Sequence, residues 1–358
     1  MSINFGNLFK QALKDERKVL RPYFFPAASD AAVPLVTEES YLRLRLARMF
    51  LKNRRELFKT HYPVVNAQMR FPGLDGEVEV NFVVQPDLPG QGEGAELVDV
   101  VTMNQTLLGP ILYRGGDLKL LLGLYAVPGE DWALRFIKVA EGVSQLAMSA
   151  PLATAVSLAN VVKTSVENSF ASDSLDLRLG LDSELRAGDW LQTGYLVMIA
   201  APDEQLNPGA LRITDGELRD ADGNIYTAHD YLVLAIEVTS QRSDWQALGY
   251  GTLWQKLLKT AADADDIQAV KESYTTFSGA ILASADLSWS DRNAIATLAQ
   301  QRIKAIRDAR SAADFFAGMK GMDALLTIEA LMTEEPVLPD EGVVGKTAVE
   351  LLQTDWLT

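Results

Sequence analysis

The chain has 358 residues, a formal net charge of −15 and no cysteine. This length is enough for a substantial core and two or three sub-domains, and the negative charge argues against nonspecific nucleic-acid binding. Without cysteine, disulfides, thiolate catalysis and thiolate metal sites are excluded. The first residues lack a basic stretch followed by an apolar one, so no secretory signal is expected and a cytoplasmic location is predicted.

The N-terminal segment, residues 1–61, is basic although the whole chain is acidic. Its first 60 residues contain twelve Lys/Arg against six Asp/Glu. Within 3–20, apolar residues recur on one helical face, which predicts a terminal helix docked on the protein; a helix lying on a membrane surface is the alternative. A second helix is predicted from about Thr37 to Thr60, and the segment is therefore expected to be helical.

This second predicted helix carries a dense run of cations. Seven lysines and arginines crowd residues 43–59, where Glu56 is the one acid. Because like charges repel, a negative surface should lie close by. The favoured candidate is the protein's own acidic body, and an acidic partner surface or an anionic ligand is the alternative. The residues predicted to make such a contact are Arg43, Arg48, Lys52, Arg54, Arg55 and Lys59.

Two phrases with the pattern L-x-L-x-L-G-L organise a predicted β-rich domain, residues 62–243. Leucines at alternate positions place one row of side chains on one face of a strand. The two strands are expected to build a shared core around a helical insert, residues 131–169. The phrases occupy residues 118–124 and 175–181, and further strands are predicted at 78–83, 97–103, 107–113 and 193–201.

Two more signals fall in this domain. Tyr231–Val238 is a nearly continuous apolar run, which predicts a central strand buried on both faces. Residues 210–225 are predicted to form a hairpin, because Asp-Gly pairs at 215–216 and 222–223 favour tight turns.

Residues 142–162 contain no charged side chain over 21 positions. That length can span a bilayer, so a membrane-docking or membrane-active protein using 3–20 and 142–162 is an alternative function. The stretch is nevertheless rich in small and hydroxyl-bearing residues and has Pro151 in its middle. This composition favours two short helices buried against a sheet.

The chain is predicted to be helical from 244 to 333. Ser288 and Ser311 each precede an acidic residue by three positions, which predicts a helix beginning at each serine. Residues 334–358 are predicted to be an acidic, proline-containing tether followed by an apolar docking segment. Val349, Leu352 and Trp356 would lie on one face of that segment, which docks either on a partner or on the protein's own core.

The sequence contains few signals for catalysis. His61 and His229 lack ligand-spaced partners, and neither completes a nucleophilic relay. Asp220–Asn224 resembles the start of a calcium loop, but the required glycine and glutamate are absent, so a polar hairpin tip is favoured. Gly342–Thr347 resembles the end of a phosphate-binding loop but lacks its first glycine and a preceding strand. No cofactor and no metal site is predicted.

We therefore predict an α+β protein: a mainly antiparallel β-sheet or sandwich with inserted helices, between a basic N-terminal helical segment and a C-terminal helical region. The leading function hypothesis is a non-catalytic binding or scaffold subunit that contacts other protein subunits through the basic N-terminal helix and the apolar tail. A membrane-docking protein and a carboxylate-based hydrolase are the alternatives, so an enzyme is disfavoured but left open. No resemblance to a known family is identified.

Overall fold

A computed structural model describes residues 22–27, 33–52, 55–56, 59–84, 100–128, 176–202, 205–315, 321–338 and 347–357. The protein is α+β, with antiparallel sheets followed by C-terminal helices, as the sequence predicts. The chain divides into two compact units between Thr239 and Ser240. The first unit contains the sheets and the second contains the helices.

The strands of the first unit belong to two large sheets and a small hairpin. In chain order they are β1 (Tyr23–Pro26), β2 (Tyr41–Phe50), β3 (Arg55–Glu56), β4 (Lys59–Gly73), β5 (Gly76–Val84), β6 (Val100–Leu112), β7 (Leu118–Pro128), β8 (Asp176–Leu185), β9 (Gly194–Ile199), β10 (Arg212–Thr214), β11 (Glu217–Arg219) and β12 (Tyr231–Thr239). The first sheet has the order β1-β9-β12-β2-β6. In the second sheet, β4 pairs with β3, β5 and β7, and β7 pairs with β8.

The two L-x-L-x-L-G-L phrases form neighbouring antiparallel strands, β7 and β8. Their glycines, Gly123 and Gly180, are directly opposite each other. The flanking leucines are paired across the two strands, Leu122 with Leu181 and Leu124 with Leu179. All four alternate leucines of β7, and Leu179 and Leu181 of β8, are buried in the same core, so the predicted shared core is confirmed for these residues.

One cluster of buried side chains contains residues from both large sheets. Leu44 of β2 and Leu234 of β12 represent the first sheet, and Val65 of β4 and Leu122 of β7 represent the second. All four side chains are fully buried. A core shared by two antiparallel sheets is the arrangement of a β-sandwich.

Strand β12 lies at the centre of the first sheet and is buried on both faces, as predicted. Leu232, Leu234 and Ile236 enter the core shared with the second sheet. Tyr231 and Val233 enter a second cluster, which is covered by residues of the connection between β9 and β12. That connection contains the predicted hairpin β10–β11, whose turn is formed by Asp215 and Gly216, both with positive φ.

The helix predicted from Thr37 to Thr60 is wrong. Residues 41–50 form strand β2, and β3 and β4 follow it. Leu42, Leu44 and Leu46 alternate with Arg43 and Arg45, and this period of two places the leucines in the core and the arginines on the opposite face. The spacing of Leu46, Met49 and Leu57 also fits a helix, which is why the sequence pattern predicted one here. The described residues between 41 and 61 therefore form strands, where the sequence predicted a basic helical segment.

The second unit contains α1 (Tyr250–Asp263), α2 (Ile267–Leu282), α3 (Trp289–Phe315), α4 (Gly321–Thr333) and α5 (Ala348–Leu352). At the start of α3, the Ser288 hydroxyl accepts a hydrogen bond from the Asp291 amide at 3.1 Å, which confirms the predicted cap. The helix start predicted at Ser311 is wrong, because α3 continues through it. Serine is tolerated inside a helix that packing already stabilises.

The core of the second unit is aromatic at its centre. Trp245, Trp254 and Phe277 are buried together, with ring centroids 5.6 to 6.1 Å apart. The C-terminal segment contributes Leu357 to the same core, and Trp356 packs against it. Leu351 is also fully buried. The hydroxyl of Tyr274, in α2, donates a hydrogen bond to the Leu351 carbonyl.

Several predictions fall outside the described residues. These are the terminal helix at 3–20, the helical insert at 131–169, the charge-free stretch at 142–162 and most of the tether. Among the helices that are described, none is long and apolar enough to cross a membrane.

We expect Leu234→Ala to destabilise the protein strongly. The Leu234 side chain is fully buried in the core shared by the two sheets, and such truncations cost about 2–5 kcal/mol. Leu74→Ala is the matched control, because Leu74 is 63% exposed and its loss should change stability by less than about 0.5 kcal/mol. Chemical denaturation measures both. Equal effects of the two variants would contradict the assigned core.

We expect a similar contrast within α5. Leu351→Ala should lower the stability of the helical unit by about 2–5 kcal/mol, because it removes a buried side chain. Val349→Ala should change it by less than about 0.5 kcal/mol, because Val349 is 68% exposed. Thermal unfolding measures the difference. If neither variant shifts the transition, the C-terminal segment does not contribute to the core.

Candidate functional site

Arginines of β2 lie on the outer face of the first sheet. In the register, Arg43 is opposite Glu237 of β12, and Arg45 is opposite Ala235. The Arg45 Nε donates to Glu237 at 2.7 Å, and an Nη atom of Arg43 lies 3.5 Å from the same carboxylate. Arg45 also donates to the Asn104 side chain. Two cations therefore share one carboxylate on this face.

A β-bulge brings a third arginine to the outer face. The register between β2 and β6 shifts between Leu46 and Arg48, so Arg48 follows Ala47 on the same side. Arg48 donates to Glu217 of the hairpin at 2.9 Å, and Arg219 donates to the other oxygen of Glu217 at 2.5 Å. Glu217 is thus held between two guanidinium groups.

Tyr231 lies beneath this group at the start of β12. Its ring stacks on Phe50 at 5.5 Å and contacts Tyr226 at 6.0 Å. The side chain is fully buried, and its hydroxyl has no hydrogen-bond partner among the described residues. Burial raises the pKa of Tyr231 to about 12; the charge of Arg48 opposes this shift and that of Glu217 adds to it.

His229 is engaged with an aromatic residue and not with the acid beside it. The Tyr226 hydroxyl lies 2.7 Å from the His229 Nδ1. Desolvation, followed by the charge of Lys52, lowers the pKa of His229, while Asp230 opposes the shift. The Asp230 carboxylate instead accepts hydrogen bonds from the Lys52 amide at 2.6 Å and from Arg178 at 2.9 Å. No His-Asp relay forms here.

The remaining cations of the predicted contact are spread along the chain. Lys52 is exposed just after β2. Arg55 lies in β3 and Lys59 begins β4, while Arg54 is outside the described residues. The structure therefore brings Arg43, Arg45 and Arg48 to one face and places Arg55 and Lys59 in two other strands.

The predicted docking residues of the tail divide between two environments. Val349 and Leu352 are exposed on α5. Trp356 packs edge-on against Tyr274, with ring centroids 5.2 Å apart, and is partly buried against the core of the second unit. Thr347 caps α5 through a capping box with Glu350.

Other chemistry suggested by the sequence has a structural role. The Asp220 carboxylate accepts hydrogen bonds from the amides of Asp222 and Asn224, at 3.0 and 2.9 Å, so it shapes the predicted polar tip. Over the described ranges, no three His, Asp or Glu side chains are grouped to hold a metal ion. A small recess beside Tyr113, between β6 and β7, is lined mainly by apolar side chains, among them Leu42, Phe71 and Leu191.

The sequence reasoning missed the acids that organise the outer face. Glu217 and Glu237 lie 169 and 192 positions from their β2 partners, so no local pattern links them. A usable signal was present nonetheless. The alternation of arginine and leucine in β2, and Glu237 near the end of the central apolar run, each indicate a polar outer face.

Comparison of the chain with models of protein families, with curated proteins and with solved structures finds no match. The function must therefore be argued from the chain's own residues.

We expect Tyr231→Phe to reduce the loss of stability at alkaline pH. The folded-state pKa of about 12 lies above the unfolded value of 10.0, so the stabilisation is complete below pH 10 and is lost as the pH rises toward 12. At pH 11 the wild type should have lost about 1.4 kcal/mol through this group. Denaturation curves of both proteins between neutral pH and pH 11 test this. Parallel curves for the two would contradict the assignment.

Proposed function

We propose that the protein is a non-catalytic binding subunit that contacts other protein subunits through two surfaces. The first is the arginine face, defined as Arg43 and Arg45 with Glu237. The second is the outer side of α5, defined as Val349 and Leu352. The proposal places the protein in the cytoplasm. Disulfides are rare in that reducing compartment, and a chain without cysteine does not depend on them.

The charge of the arginine face carries the proposal. Two guanidinium groups share the Glu237 carboxylate, and within the described residues no second acid pairs with either. The side chain of Arg43 remains 36% exposed and that of Arg45 25% exposed. A positive patch on a chain of net charge −15 attracts an acidic surface, and guanidinium groups suit carboxylates because they can bind them through two hydrogen bonds.

The outer side of α5 supports the proposal independently. A five-residue helix buries Leu351 and exposes two apolar side chains, Val349 and Leu352. Exposed apolar residues are common singly, but a pair three positions apart on one helix offers a small contact surface. This surface would offer apolar contact to a partner, independently of the arginine face.

The experiment is affinity purification of the tagged chain from its own host, with quantitative identification of the recovered proteins. Arg43→Gln removes the more exposed cation and leaves Arg45 paired with Glu237. We expect this variant to recover less of at least one partner, and the wild type to lose that partner as the salt concentration rises. Val349→Asp with Leu352→Asp tests the second surface in the same way.

Lys119→Gln is the matched control, because Lys119 is a half-exposed cation of β7, on the second sheet. It should recover the same proteins as the wild type. The proposal fails if the Arg43 and α5 variants both retain every wild-type partner at low and at high salt. Unfolding curves of each variant establish that any loss of partner is not a loss of fold.

A further inference from the structure

The guanidinium group of Arg43 has hydrogen-bonding capacity that the fold leaves unused. Its one hydrogen bond among the described residues runs from Nη1 to the Glu237 carboxylate, and its length of 3.5 Å is at the upper limit for such a bond. Within the same ranges, the Nε and Nη2 groups of Arg43 have no acceptor. Since the side chain is 36% exposed, a group from outside the protein can approach it.

The neighbouring Arg45 is engaged at all three nitrogen atoms of its guanidinium group. Its Nε and Nη2 donate to one oxygen of Glu237, and its Nη1 donates to the Asn104 side chain. Arg45 therefore holds Glu237, while Arg43 lies at a longer distance from the other oxygen of that carboxylate. Of the two arginines that define the arginine face, Arg43 is the one with donors to offer a partner.

The backbone of Arg43 is held from both sides of β2. On one side, Arg43 is opposite Glu237 in the pairing with β12. On the other side, Gly109 of β6 lies so close that a Cβ added to it would overlap the Leu42 carbonyl oxygen and would be 3.1 Å from the Arg43 Cα. Arg43 is therefore presented by a fixed backbone, which reduces the entropy that is lost when a partner binds.

The charge of the arginine face selects the kind of anion. Arg43 and Arg45 carry two positive charges against the one negative charge of Glu237, so the excess is one positive charge. A carboxylate carries one negative charge and neutralises that excess. A phosphate monoester carries close to two negative charges at neutral pH and would leave a negative excess beside Glu237. A carboxylate also offers two oxygens to the parallel N–H groups of a guanidinium.

We propose that Arg43 binds a single carboxylate of an acidic partner protein through two hydrogen bonds, one from its Nε and one from its Nη2. Such bidentate binding rests on the proposed function and deepens it, because it specifies the residue, the donor atoms and the partner's chemical group. It also sets a requirement that charge attraction does not. A lysine at position 43 would keep the positive charge but lack the paired donors.

Affinity purification from an extract of the protein's own host compares the wild type with Arg43→Lys and Arg43→Gln. We expect Arg43→Lys to lose the same partner that Arg43→Gln loses. The dissociation constant is then measured by titrating each variant with that partner in purified form. It should rise about tenfold in Arg43→Lys, since an ammonium group cannot make both hydrogen bonds to the carboxylate in the same geometry.

Arg70→Lys is the matched control, because it makes the same substitution at a half-exposed arginine of the second sheet. It should bind the partner as the wild type does, and unfolding curves establish that both lysine variants are folded. Treatment of the extract with phosphatase before purification distinguishes a phosphate from a carboxylate. We expect recovery of the partner to be unchanged, and its loss after this treatment would overturn the proposal.

The outcomes distinguish bidentate binding from the proposed function itself. If Arg43→Lys binds the partner as tightly as the wild type while Arg43→Gln does not, charge alone is sufficient. Bidentate binding is then overturned, and the arginine face still stands as a binding surface. If Arg43→Gln also keeps every partner, the arginine face fails as a binding surface, and bidentate binding fails with it.

Discussion

The first unit depends on the burial of β12 on both of its faces. One face contributes Leu232, Leu234 and Ile236 to the core between the sheets. The other contributes Tyr231 and Val233 to the cluster beneath the hairpin. From Tyr231 to Ile236 the strand is buried on both faces, so it cannot change register without moving these side chains into the wrong environment. It therefore fixes the positions of β2 and β9, which pair with it on either side.

The polar groups of the outer face follow from that register. Because Glu237 is opposite Arg43, the carboxylate is delivered to the arginines by backbone pairing and not by a flexible loop. The hairpin then brings Glu217 to Arg48 from above the sheet. Its turn lies close to the sheet, since a Cβ added to Gly216 would be 3.7 Å from the Cβ of Ala47. The arginine face thus lies on hydrogen-bonded strands, which favours binding without large rearrangement.

Sequence patterns predicted the elements whose signals are local. The leucine phrases, the apolar run at 231–238 and the Asp215-Gly216 turn each specify their structure within about ten residues. The strand β2 was missed because its apolar residues fit both the period of a strand and the period of a helix. Only pairing with the distant β12 decides between the two. Of the candidate site, the sequence indicated the arginines of β2. It did not indicate Glu217, Glu237 or Tyr231, because these residues become neighbours of the arginines only through long-range sheet pairing.

The opposed glycines of β7 and β8 have a consequence for refolding. Because Gly123 is opposite Gly180 and each is flanked by leucines, the pairing of Leu122 to Leu124 with Leu179 to Leu181 is symmetric about a local twofold axis. Over these positions, a β7 strand of a second molecule offers β7 the same glycine and leucine partners as its own β8 does. During refolding at high protein concentration, we expect such intermolecular pairing to compete with the native one and to produce strand-exchanged dimers. Dilution should suppress them, because the native pairing is intramolecular.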